Sequence, residues 1–248
     1  LDAAIEQAVT ALLKSRRPLL LADGGIIRAA ASQTVKEFCD VYPLPTVSTL
    51  MGLGAIEPNH PHYLGLIGMH GHKAANLAVA DADLIIAVGS RFSDRVTSDR
   101  SSYTKNKTIV HLDIDAAEIG KNVDTAVMVI GDLQHSLQKL VHRLRQSALP
   151  DHTAWLGQVL HWQELHQTQP DKTVLNPVWI MQHLSKTVAE LPVTWISDVG
   201  QHQMWAAQHL RIESPATWLT SGGLGTMGFG LPAALGAQLS RPEQRAIL

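Results

Sequence analysis

Leu19-Leu20-Leu21-Ala22-Asp23-Gly24-Gly25 decides the fold. Four apolar residues in a row, without polar alternation, are the pattern of a strand buried on both faces, as in a parallel sheet. The Asp-Gly-Gly that follows is turn chemistry, and a helix is expected from there through Val35 and Phe38. Ahead of the run, Ile5, Ala8, Val9, Leu12 and Leu13 recur at helical spacing, and Arg16-Arg17-Pro18 ends that helix. Beyond it the alternation repeats. Residues 46–48, 84–88, 108–112 and 126–130 read as strands, with Gly89 and Gly131 closing the second and the last. Residues 76–80 read as helical, and Leu133, Leu137, Leu140, Val141 and Leu144 mark a closing helix. Residues 50–62, rich in Gly, Pro, Asn and His, read as a long loop. Strands alternating with helices imply a doubly wound α/β domain with a parallel sheet of five or six strands.

A second α/β unit is expected from Asn176-Pro177, where Asn caps a helix and Pro occupies its first turn. That helix is expected to reach Glu190. Residues 193–197, 217–219 and 245–248 read as strands, and 203–209 and 231–239 as helices. The expected division is a central domain over residues 1–149, a linker with one helix over 150–175, and a second, incomplete domain over 176–248.

Composition narrows the classes. Of 248 residues, 45% are apolar and 17% charged, which is globular and not disordered. With a net charge of −2 and no block of Lys or Arg, neither nucleic acid nor a membrane surface is expected as partner. The longest apolar runs are far too short to span a bilayer. The single cysteine, Cys39, is expected to be a buried, inert thiol, which suits a reducing, cytoplasmic compartment. The thirteen histidines are scattered without zinc-ligand spacing, and most are expected at the surface.

In an open parallel sheet, ligands collect at the carboxyl ends of the strands. Four such ends carry suggestive residues: Asp23-Gly24-Gly25, Gly89-Ser90-Arg91, Asp113 with Asp115, and Gly131-Asp132. Glycine allows close backbone approach, a guanidinium pairs with phosphate, and a carboxylate accepts from ribose hydroxyls. Together they suit a dinucleotide, although a glycine after a strand is also ordinary turn chemistry and an Asp there also caps helices. Gly68-Met69-His70-Gly71 is expected to open a helix. Ser221-Gly222-Gly223-Leu224-Gly225-Thr226-Met227-Gly228-Phe229-Gly230 exposes backbone to a ligand, while Leu224, Met227 and Phe229 are expected to be buried. Asp198-Val199-Gly200-Gln201-His202 offers donors suited to a diphosphate.

Taken together these segments resemble acetolactate synthase catalytic subunits, within the thiamine-diphosphate enzymes. The resemblance is carried by residues 68–71, by Arg91-Phe92-Ser93-Asp94-Arg95-Val96-Thr97, and by the run from His111-Leu112-Asp113-Ile114-Asp115 to Gly120-Lys121-Asn122. Gly200-Gln201-His202-Gln203-Met204-Trp205 and residues 221–232 extend it to nearly the whole chain. It implies an FAD site formed by Gly24, Gly25, Thr49, Leu50, Gly68, Met69, His70, Gly89, Arg91, Arg95, Asp113 and Asp132. It also implies a thiamine-diphosphate site with Gln201 and His202 at the diphosphate and Gly225 and Met227 at the aminopyrimidine. The implied reaction is condensation of two pyruvates, or of pyruvate and 2-oxobutyrate, with loss of carbon dioxide, in branched-chain amino-acid synthesis.

Implied partners are a homodimer or tetramer and a small regulatory subunit. Asp23 stands where the family usually has Gly, and Ser93 where it usually has Asp. The family's catalytic Glu would precede Leu1 and its magnesium motif would follow Leu248. No residue here is therefore assigned as catalytic or as a metal ligand, and the chain alone is expected to be inactive. Competing readings are a relative with the same cofactors, such as glyoxylate carboligase or pyruvate oxidase, and a non-catalytic nucleotide-binding module. An NAD dehydrogenase fits less well, because the full Gly-x-Gly-x-x-Gly pattern is missing.

Overall fold

A computed structural model describes residues 1–171 and 173–248; Lys172, within the expected linker, lies outside the described residues. The chain forms two compact units, residues 1–166 and 167–248.

The first unit runs α1 (Asp2–Lys14), β1 (Pro18–Ala22), α2 (Gly24–Arg28), α3 (Ser32–Val41), β2 (Thr46–Ser48), β3 (Tyr63–Leu66), α4 (Lys73–Asp81), β4 (Leu84–Val88), α5 (Asp94–Thr97), α6 (Arg100–Tyr103), β5 (Thr108–Asp113), β6 (Val127–Ile130), α7 (Leu133–Arg145) and α8 (Thr153–Leu165). Its six strands are parallel in the order β3-β2-β1-β4-β5-β6. The strand order reverses between β1 and β4, the switch point of a doubly wound sheet.

Successive strand residues feed two cores. Leu20 and Ala22 of β1, with Leu84, Ile86 and Val88 of β4, pack beneath α1, α3 and α7. Leu19, Leu21, Ile85 and Ala87 face the opposite core, shared with α4, α8 and the side chains of Phe92 and Tyr103. Both central strands are buried at every position, which is why they carry no polar alternation. Each fully buried Leu or Ile contributes roughly 1.5–3 kcal/mol.

Three features depart from the sequence reading. β3 is not among the expected strands: its Tyr-Leu-Gly-Leu alternates in burial as a strand does, but Gly65 at φ 87° interrupts the run and weakens its signature. The expected single helix from 24 through 38 breaks at Ala30, which sits at φ 51°. The linker expected from residue 150 donates α8 to the first unit. Trp155 and Val159 are buried in its core, Trp155 Nε1 donates to Pro18 O at 2.9 Å, and Gln163 Nε2 donates to Tyr63 O at 3.0 Å. The first compact unit therefore runs through His166 and includes α8.

The second unit runs α9 (Pro177–Thr187), β7 (Val193–Ser197), α10 (Gln201–His209), β8 (Trp218–Thr220), α11 (Gly230–Ser240) and β9 (Arg245–Ile247). Asn176 caps α9 as expected, its Oδ1 accepting from Trp179 N at 2.9 Å, and the helix stops at Thr187. The strands are parallel in the order β8-β7-β9.

Candidate functional site

In the first unit the residues singled out by sequence gather at the carboxyl ends of the strands. At the switch point the turns after β1 and β4 lie against each other. Gly25 N donates to Gly89 O at 3.1 Å, and a Cβ on Gly25 would stand 2.5 Å from Gly89 Cα. Gly89 itself adopts φ 61°. These two glycines are therefore required by backbone crossing, whatever ligand lies beyond them.

Asp23 caps α2: its Oδ1 accepts from Gly24 N at 2.6 Å and from Thr49 Oγ1 at 2.5 Å. Burial pushes its pKa up, against opposing bonds from Thr49, Gly24 and Ser90. The Asp23 side chain, which stands where the family usually has Gly, is thus turned toward its own turn and the end of β2. Thr49 is buried, and its hydroxyl also accepts from Gly52 N at 3.2 Å. Leu50 opens the single 3-10 turn that follows.

A second group forms around the turn after β3. Gly68, at φ 97°, is clamped by Asn76, whose Oδ1 accepts from Gly68 N at 2.9 Å and whose Nδ2 donates to Gly68 O at 3.0 Å. Met69 N donates to Arg95 O at 2.9 Å, and Arg95 Nη1 lies 3.6 Å from Met69 Sδ. Met69, His70 and Arg95 are exposed. The Gly-Met-His-Gly segment forms this turn and does not itself open α4, which starts at Lys73.

Arg91 is exposed between Ser90 and Phe92, which are 0% and 1% exposed. His111 lies beneath them, fully buried, its Nε2 2.8 Å from Ser90 O. A carbonyl only accepts, so Nε2 carries the proton. Burial pushes the His111 pKa down, outweighing the pull of Ser90 O and Asp113, so the ring is neutral at neutral pH. Its Nδ1 has no hydrogen-bond partner. Together with His152, which is also buried, it departs from the expectation of surface histidines only for a minority of the set.

Asp113 ends β5, where its Oδ1 accepts from Asp115 N at 2.9 Å. Asp132 caps α7 by accepting from His135 N at 2.8 Å. Beside it the buried Ser136 Oγ has no partner and lies 3.4 Å from where a Cβ on Gly131 would stand. The exposed guanidinium groups of Arg91 and Arg95 suit an approaching anionic ligand. A shallow groove of about 660 Å³ opens instead at the amino ends of β4 and β5. The Asp83 carboxylate there is spent on Ser15 Oγ and the amides of Arg16 and Arg17, so the strand carboxyl ends remain the candidate site.

In the second unit Asp198 organises the glycine-rich loop. Its Oδ1 accepts from Val199 N at 2.9 Å and its Oδ2 from Gly228 N at 2.9 Å. Burial opposes ionisation, but these amides, Gly230 N and nearby His202 hold its carboxyl below the usual range. Ser221 fixes the start of the loop, taking Gly225 N on its carbonyl and Thr226 N on its hydroxyl, both at 3.0 Å. Gly225 adopts φ 63°, and open space surrounds Gly223 and Gly228. Gln201 and His202 are exposed in the first turn of α10.

Leu224 and Met227, expected to be buried, are 95% and 87% exposed, and Phe229 is half-buried. The loop is held by its backbone through Asp198 and Ser221, which leaves these apolar side chains facing outward. Such a loop, with open glycines and an outward Met, fits an organic cofactor with apolar and charged parts. Among the described residues no cluster of His, Cys, Asp or Glu could hold a metal ion.

Sequence reasoning missed Asn76, His111 and Asn122. The last two bound a motif it quoted but used only for Asp113 and Asp115, and no spacing rule marks a side chain that bonds a distant carbonyl.

A six-stranded doubly wound sheet whose candidate ligand edge lies at the switch point, followed by a separate unit with a glycine-rich loop, defines a two-unit α/β protein. Residues 5–140 match the thiamine pyrophosphate enzyme central domain, and residues 198–248 the C-terminal TPP binding domain of thiamine pyrophosphate enzymes. The chain belongs to the thiamine pyrophosphate enzyme family. Among its relatives, the acetolactate synthase isozyme 2 large subunit of Escherichia coli (strain K12) is 43% identical over 245 residues, covering 99% of this chain and 44% of that protein. The acetolactate synthase large subunit of Parasynechococcus marenigrum (strain WH8102) is 42% identical, over 100% of this chain and 40% of that protein. The acetolactate synthase of Mycobacterium leprae (strain TN) is 40% identical, over 96% and 39%. The chain thus spans about two fifths of the length of these curated relatives.

Proposed function

We propose that this chain is the central and early thiamine-diphosphate-binding part of an acetolactate synthase large subunit. The observation that carries the reading is likeness to such subunits at about 40% identity over nearly every residue, across both units. The reaction would join two pyruvates, or pyruvate and 2-oxobutyrate, with release of carbon dioxide. Thiamine diphosphate, when bound, supplies the stabilised carbanion that such decarboxylation requires.

The chain's own part is to bind and orient. In the first unit Gly24, Gly25, Gly68, Met69, His70 and Gly89 would offer backbone to FAD, with Arg91 and Arg95 offering positive charge. Asp113 would accept from a hydroxyl. Thr49, Leu50 and Asp132 complete the set, although the Thr49 hydroxyl and one Asp132 oxygen already have partners. FAD would be structural, without net redox change. In the second unit Gln201 and His202 would donate to the diphosphate, and Gly225 and Met227 would meet the aminopyrimidine. Magnesium would be held by residues outside this chain. The protein would act in the cytoplasm as a homodimer or tetramer, with a small regulatory subunit as partner.

The test is a thiamine-diphosphate-dependent assay of the full-length protein on pyruvate and on glyoxylate. Acetolactate from pyruvate is expected. Turnover of glyoxylate in its place would move the protein to another member of the family.

A further inference from the structure

The motif from His111 to Asn122 supplies only Asp113 to the candidate site, yet its two ends converge on one turn. His111 Nε2 donates to Ser90 O at 2.8 Å, and Asn122 Nδ2 donates to Arg91 O at 2.8 Å. These carbonyls belong to the peptide groups on either side of the Arg91 Cα. Pinning both fixes the backbone direction from which the Arg91 side chain leaves.

A third anchor follows at once. Phe92 adopts φ 48°, a conformation that a bulky residue keeps only where its surroundings over-determine it. Its ring is 1% exposed and meets the His111 ring edge-on, with centroids 5.1 Å apart and planes at 86°. Phe92 N also donates to Ser90 Oγ at 3.3 Å. An exposed, rotamer-rich Arg91 is therefore mounted on a turn buried on both sides. Holding the base of a long side chain reduces the freedom it loses on binding.

We propose that His111 and Asn122 are positioning residues for Arg91, aiming its guanidinium at the anionic part of a dinucleotide held at the switch point. The proposal rests on the reading of Arg91 as an FAD contact. A residue that only stabilised the fold would weaken binding whether or not Arg91 were present; a positioning residue acts through Arg91 alone.

A double-mutant cycle in the full-length protein separates these outcomes, with FAD affinity read by flavin fluorescence titration. Arg91→Ala is expected to weaken FAD about tenfold or more, as loss of a charge-assisted contact does. Asn122→Ala is expected to weaken FAD several-fold beside Arg91, and less than about twofold in the Arg91→Ala background, where nothing is left to aim. Equal effects of Asn122→Ala in both backgrounds would overturn positioning while leaving the Arg91 contact intact. An Arg91→Ala protein with unchanged FAD affinity would instead overturn the placement of FAD, and this proposal with it. Asn122 is only half-buried and carries the test, because His111→Leu strands the buried Ser90 carbonyl and risks unfolding. His111→Gln keeps an N–H donor, so its FAD affinity is expected above that of any folded His111→Leu protein; the reverse order would remove His111 from the device.

Discussion

Gly25→Ala adds one methyl at the switch point, and the structure decides the sign of its effect. An alanine within a helix stabilises by roughly 0.5–1 kcal/mol relative to glycine. Against this, the new Cβ would stand 2.5 Å from Gly89 Cα and 2.8 Å from Gly89 O, so two backbones must separate. Overpacking of this kind costs about 1–3 kcal/mol. Lengthening the Gly25 N to Gly89 O bond costs roughly 1 kcal/mol more. The expected balance is a loss of about 1–3 kcal/mol, or about 2–12 °C in the midpoint of the first unit's transition. Gly157→Ala is the matched control: it lies exposed in α8 with nothing within 4 Å of its Cβ position. It should stabilise by roughly 0.4–1 kcal/mol. Thermal and urea unfolding of the 248-residue chain by circular dichroism measure both. A Gly25→Ala chain as stable as Gly157→Ala would show that the two turns do not touch, and would return Gly25 to a purely ligand-driven role.

Asp23→Asn tests the raised carboxyl. A folded pKa above the unfolded one gives stability that is present at low pH and lost as pH rises from the ordinary carboxylate value through the folded one. The variant should therefore improve relative to the parent as pH rises above the ordinary carboxylate value, and a constant difference in urea unfolding would contradict the assignment. Asp198→Ala frees the amides of Val199 and Gly228, so hydrogen exchange across residues 221–230 should quicken, with unchanged rates arguing that Ser221 alone holds the loop. Cys39 is buried, with its thiol pushed up to about 12, so native protein at pH 8 should resist iodoacetamide until denatured; rapid native labelling would contradict its burial. Limited proteolysis should leave a core ending after His166, whereas a core ending near Pro150 would mean that α8 is not docked.

The sequence shows what is regular and local. The runs at 18–22 and 84–88 are apolar because both sheet faces are covered, so β1 and β4 are legible without any contact map. Asn176 before Pro177 announces a helix by side-chain chemistry alone. β3 is not legible, since Gly65 interrupts it and its pairing with β2 is irregular. Nor is the fate of α8, whose Trp155 and Val159 look like any helix stripe until a partner surface is known. The ligand edge follows from the alternation of strands and helices, but the reason for each glycine does not. Gly25 and Gly89 read as ligand contacts, and they prove to be where two backbones cross. His111 and Asn122 stayed hidden because each bonds a carbonyl 20 or more residues away in sequence.

The docking of α8 has a consequence for how the protein is made. Trp155 closes its hydrogen bond on Pro18 O across 137 residues, and Gln163 reaches Tyr63 O across 100. A chain emerging from the ribosome at about 5–20 residues per second can assemble β1 to β4 early, but one face of that sheet stays partly uncovered until α8 is free. For several seconds Leu19, Leu21, Ile85 and Ala87 lack part of their cover. This half-clothed interval is when the nascent protein most needs a chaperone, and slowing translation just before residue 153 should lengthen it.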